Sequence, residues 1–90
     1  MKPRILSEIM ASEYKREILS ILTERDLETP TGMLKRMVEK GHKSANKQNV
    51  SSNLRWLRNY GLVRVEVDRP KGRLYRITDE GRQYSRRISK

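Results

Sequence analysis

The chain is 90 residues long, with 21 Lys or Arg against 11 Asp or Glu for a formal net charge of +10, no cysteine and one histidine. That length holds one small domain, residues 1–90, whose core is only marginally sufficient, so support from a second copy is expected. Disulfides, cysteine-ligated metals, cysteine nucleophiles and histidine clusters are excluded, and with no acid-base or nucleophile constellation the composition points away from an enzyme, a metal or a cofactor.

No apolar run approaches a membrane span and the N-terminus lacks the apolar core of a signal peptide, so a cytoplasmic protein is expected. The charge points to a polyanionic partner, nucleic acid ahead of a membrane surface. Its distribution is uneven: residues 1–45 hold nine Lys or Arg against seven Asp or Glu, a net of +2, whereas residues 46–90 hold twelve against four, a net of +8.

In chain order, Ile5, Leu6, Ile9 and Met10 have helical spacing, as do Tyr14, Ile18, Leu19, Ile21 and Leu22, with Ser12 between them as an N-cap. A short helix within residues 1–11 and a longer one from about Glu13 to Glu24 follow, both read as core-packing, with part of the first free to meet a second subunit. Thr29-Pro30-Thr31 opens a third helix, with Pro30 in its first turn. Leu34, Met37 and Val38 form its expected inward face, Lys35, Arg36, Glu39 and Lys40 its outer one, and Gly41 ends it. His42, in the link from Gly41 to Ala45, is read as a loop histidine near a helix end, with phosphate contact as the alternative.

Asn46 then caps a helix of about three and a half turns that closes at Gly61. Val50, Leu54 and Leu57 make a narrow apolar stripe on it, and the opposite side carries Gln48, Ser52, Arg55 and Asn59, flanked by Lys47, Asn49, Ser51 and Arg58. The segment has no acidic residue, whereas an ordinary solvated helix face mixes Glu with Lys. Amides, hydroxyls and guanidinium groups in that arrangement can read base edges in a DNA major groove. Two helices joined by so short a link, the second polar and basic outside, form a helix-turn-helix. Trp56 lies beside the polar arc, in line with Asn49, Asn53 and Tyr60, and is read as packing on a neighbouring helix, with a subunit contact or sugar-phosphate stacking as alternatives.

After Gly61 the period changes to two. Leu62 to Asp68 alternates branched apolar with charged residues as a half-buried strand does, Arg69-Pro70-Lys71-Gly72 is a turn, and Arg73 to Ile77 is the returning strand. The tip of this hairpin bears Arg69, Lys71 and Arg73, a pattern that either contacts phosphate or guards a strand edge. Thr78 caps a last helix, residues 79–90, with Asp79 and Glu80 at its positive end, sparse apolar positions at Tyr84 and Ile88, and a basic tail of Arg86, Arg87 and Lys90 expected to be mobile.

The order of these elements resembles the winged-helix transcription regulators, especially the ArsR and MarR-like groups of archaea and bacteria. The residues that carry the resemblance are Tyr14 to Leu22, then Val50 through Val63, similar to a recognition helix running into the first wing strand, then Leu74 through Gly81, similar to the second wing strand passing into the next helix. The resemblance covers about four fifths of the chain. It implies an α+β, mainly α, winged helix-turn-helix fold with a two-stranded β wing, and a homodimeric binder of double-stranded DNA with its recognition helix in the major groove. By position it implies groove-facing Lys47, Gln48, Asn49, Ser51, Ser52 and Arg55 and wing contacts from Arg69, Lys71 and Arg73. Metal-sensing members carry cysteine and histidine clusters that this chain lacks.

A sequence-specific transcription regulator is therefore expected, with Gln48, Ser52 and Arg55 choosing the sequence and Thr31, Lys43, Arg58 and the wing holding the backbone. The N-terminal and C-terminal helices are the expected dimerisation elements. The rival expectations are a DNA-partition or architectural protein that spreads with low sequence preference, and a winged-helix module that docks on another protein. RNA binding is disfavoured by the absence of Phe and of clustered aromatics.

Overall fold

The computed structural model describes residues 1–89. Five helices and one hairpin run in the order α1 (Pro3–Met10), α2 (Glu13–Glu24), α3 (Pro30–Glu39), α4 (Lys47–Asn59), β1 (Val63–Arg69), β2 (Gly72–Ile77) and α5 (Asp79–Ile88). α2 is the hub: it packs against α1, α3, α4, α5 and β2. Its Ile18, Leu19, Ile21 and Leu22 are all buried, which is the consequence of two apolar residues per turn on one helix face.

The helix boundaries fall where local chemistry places them. Ser12, Thr29, Asn46 and Thr78 each accept a hydrogen bond from a first-turn backbone N–H, those of Lys15, Gly32, Asn49 and Gly81 respectively. Such caps satisfy donors that the helix itself leaves unpaired. α1 ends against Arg16, whose guanidinium donates to the carbonyls of Ile9 and Met10, a cation at the negative end of the helix. At the far end of α4, Gly61 takes φ +75, a left-handed conformation that leads the chain directly into the hairpin.

Two expectations about apolar faces are corrected. On α3 the buried pair is Met33 and Met37, while Leu34 is half-buried and Val38 is 46% exposed. Four apolar residues on that helix span a side wider than the docking surface, and spacing alone does not select which half meets α2 and α4; Met33, outside the expected set, takes the place given to Val38. On β1 the inward alternation stops early. Val63 and Val65 face Ile77 and Tyr75 across the ladder, but a bulge between Val65 and Val67 shifts the register so that Val67 pairs with Leu74 and stands 37% exposed. Leu62, expected inside the strand, precedes it and is fully buried.

The hairpin closes as Arg69 pairs with Gly72, leaving Pro70 and Lys71 as the turn, with Gly72 at φ +146. A backbone bridge ties it to the helical layer: the N–H of Glu28 donates to the Tyr75 carbonyl at 3.2 Å and the N–H of Tyr75 to the Glu28 carbonyl at 2.9 Å. α5 is seated on the same corner. Thr78 donates its backbone N–H to the Leu62 carbonyl at 3.0 Å and its hydroxyl to the Gly61 carbonyl at 2.7 Å. Tyr84 is fully buried and its hydroxyl accepts the Lys2 N–H at 2.8 Å, joining α5 to the start of α1. Arg86 and Arg87, expected in a loose tail, belong to the last turn of α5, and Lys90 lies outside the described residues.

Candidate nucleic-acid interface

α4 turns three residues inward, Val50, Leu54 and Leu57, all with no exposed surface. That anchoring fixes where the rest of the helix points. Lys47, Ser51, Arg55 and Arg58 recur at steps of four, four and three residues, so they run along one side of α4. The hairpin stands beside that side, and between the two lies a cleft of about 550 Å³. Thr29, Pro30 and Thr31, at the N-terminus of α3, close its floor together with Tyr75, and Lys71, Gly72 and Arg73 form the opposite wall.

The electrostatics of the cleft are one-sided. Five of its lining residues are cations, Lys47, Arg55, Arg58, Lys71 and Arg73, and none is a carboxylate. Among the described residues only Arg73 of these five takes part in a salt bridge, with its Nε 3.3 Å from Asp68 Oδ1. The Tyr75 side chain, and after it the Asp68 charge, raises the pKa of Arg73. Like charges gathered in a confined space repel one another, and an anion threaded between them relieves that repulsion.

The structure thus gathers Thr31, Lys47, Ser51, Arg55, Arg58, Lys71 and Arg73 around one cleft. It leaves the other predicted residues elsewhere. Gln48 and Ser52 are exposed on the adjoining outward stripe of α4, Arg69 is exposed on the hairpin outside the cleft lining, and Lys43 is exposed in the α3–α4 link. Asn49 is half-buried, and the Asn53 amide donates to its carbonyl at 2.8 Å. Thr29, Pro30 and Tyr75 were missed as lining residues. The available signal for Tyr75 was a phenol at an inward strand position next to the basic turn, a side chain whose ring can be buried while its hydroxyl remains reachable.

His42 does not face the cleft. Its side chain is 10% exposed, its Nε2 lies 3.1 Å from Glu17 Oε1 on α2, and Tyr14 packs edge-on with ring centroids 5.6 Å apart. The link between α3 and α4 is therefore held to α2 by a structural histidine. Trp56 is packed against the core, with the Lys15 ammonium 4.9 Å from its ring centre and the Tyr60 ring 4.6 Å away. Lys15 also donates to Asn53 Oδ1 at 3.0 Å, so α2 braces the outer side of α4 as well as its core side.

No family model and no curated protein sequence matches the chain. Solved structures do. RosR of H. salinarum superposes with a TM-score of 0.77 at 22% identity, over 84% of this chain and 68% of that one. A MarR-family transcriptional regulator from Silicibacter pomeroyi gives 0.75 at 26% identity, over 93% and 56%. A MarR mutant from E. coli complexed with operator DNA gives 0.71 at 18% identity, over 94% and 61%. The chain spans between about half and two thirds of the length of these proteins. With a helix-turn-helix, a two-stranded hairpin and this spatial agreement, the chain has a winged helix-turn-helix fold, which it shares with RosR and with the MarR-family transcriptional regulator from Silicibacter pomeroyi.

Proposed function

We propose that the chain binds double-stranded DNA as a homodimer and regulates transcription by occupying specific sites in the cytoplasm. The observation that carries this reading is the carboxylate-free cleft of five cations between α4 and the wing, set beside an exposed polar stripe on the same helix. The solved complex of a MarR mutant with operator DNA, a protein of the same fold, supports it. In this reading α4 enters the major groove, Lys47, Gln48, Asn49, Ser51, Ser52 and Arg55 approach the DNA from it, and Thr31, Lys43 and Arg58 join wing residues Arg69, Lys71 and Arg73 on the backbone. Phosphate contacts supply most of the affinity and make it strongly salt-dependent.

The deciding experiment is selection of binding sites from randomised duplexes together with a light-scattering mass. The expected result is two related half-sites about one helical turn apart and the mass of a dimer. A footprint that spreads from a start site as protein is added supports the partition or architectural reading instead, and absence of duplex affinity near physiological salt supports the protein-docking one.

A further inference from the structure

We propose that the cleft between α4 and the wing holds a single phosphodiester strand, and that Arg55 binds that strand rather than a base edge. Base reading then falls to Gln48 and Ser52. This rests on the DNA-binding reading above and assigns roles within it. Arg55 lines the cleft with Lys47 and Arg58 on one wall, facing Lys71 and Arg73 on the other. Where a helix occupies the major groove and a hairpin lies alongside, the ridge that separates them is the sugar-phosphate backbone. A space walled on both sides by cations therefore meets phosphates.

The base edges lie instead in front of the outward stripe. Gln48 and Ser52 stand there, exposed and outside the cleft lining. An amide and a hydroxyl one turn apart can each donate and accept, which suits them to base edges, and Gln in particular can pair with adenine through two hydrogen bonds. Tyr75 lines the same cleft.

The test uses the duplex selected above and single-base variants of it, titrated at several salt concentrations with the full chain and with Arg55→Ala, Arg55→Lys and Gln48→Ala. Both positions are exposed, and matching thermal unfolding of the variants verifies that the fold is intact. Arg55→Ala is expected to weaken matched and mismatched duplexes by the same factor and to reduce the slope of log affinity against log salt by about 0.9, the value of one phosphate. Arg55→Lys should restore most of that slope, since a point charge suffices for phosphate but not for a bidentate guanine contact. Gln48→Ala should lower discrimination at one base pair by about fivefold or more while leaving the slope unchanged. If Arg55→Ala instead removes discrimination at one base pair and leaves the salt slope alone, the assignment is overturned. If the unaltered chain binds no duplex, the DNA reading itself fails and takes the assignment with it.

Discussion

Gly81 is the position where a single methyl group should be felt most strongly. It is buried in the first turn of α5, and a Cβ built on it would overlap the Leu62 carbonyl oxygen and lie 2.7 Å from Ile77 Cγ1 and 3.0 Å from the Leu62 carbonyl carbon. Two of these three atoms are backbone, and the carbonyl already accepts the Thr78 N–H at 3.0 Å. Helix propensity alone makes Gly81→Ala favourable by about 1 kcal/mol. Against it stand an overpacking cost of about 1–3 kcal/mol and about 1 kcal/mol for disturbing the Thr78 hydrogen bond. The net expectation is a loss of about 1–3 kcal/mol, which for a domain of this size lowers the melting temperature by roughly 5–20 °C. Thermal unfolding followed by circular dichroism measures it, with exposed Gln83→Ala in the same helix as a control expected to stay within about 0.5 kcal/mol of the parent. A melting temperature that is unchanged or raised in Gly81→Ala would show that the α5–β1 corner is not packed as described.

Further outcomes follow from the same geometry. Thr78→Val removes both the acceptor for the Gly81 N–H and the donor to the Gly61 carbonyl, and should cost about 1–3 kcal/mol in chemical denaturation. Met33→Ala should cost about 2–5 kcal/mol, whereas Val38→Ser should be nearly neutral, within about 0.5 kcal/mol; the reverse ranking would mean that α3 is rotated from the orientation seen. Lys71→Ala should weaken binding to all duplex sequences alike and flatten the salt dependence by about one phosphate, read from fluorescence anisotropy at several salt concentrations. A selective loss for one sequence would remove Lys71 from the backbone contacts.

The caps, helix ends and hairpin turn were legible because each is a local affair. A Ser, Thr or Asn side chain reaches a backbone N–H three residues on, and a glycine relaxes into positive φ, without help from distant parts of the chain. The basic, carboxylate-free character of α4 was equally plain, because charge is a property of composition. Which side of α3 docks was decided elsewhere, by the simultaneous demands of α2 and α4, and the exposure of Val67 was decided by a bulge that alternation does not announce. The division of the cationic residues is of the same kind. Arg55 and Ser52 look equivalent on a helical wheel, and only the placement of the hairpin beside α4 puts one in the cleft and the other outside it. By itself the sequence determined which elements form and where the positive charge lies, because those follow from neighbours along the chain. The tertiary structure decided which charges face one another across open space, because that distance is set by the packing of elements far apart in the chain.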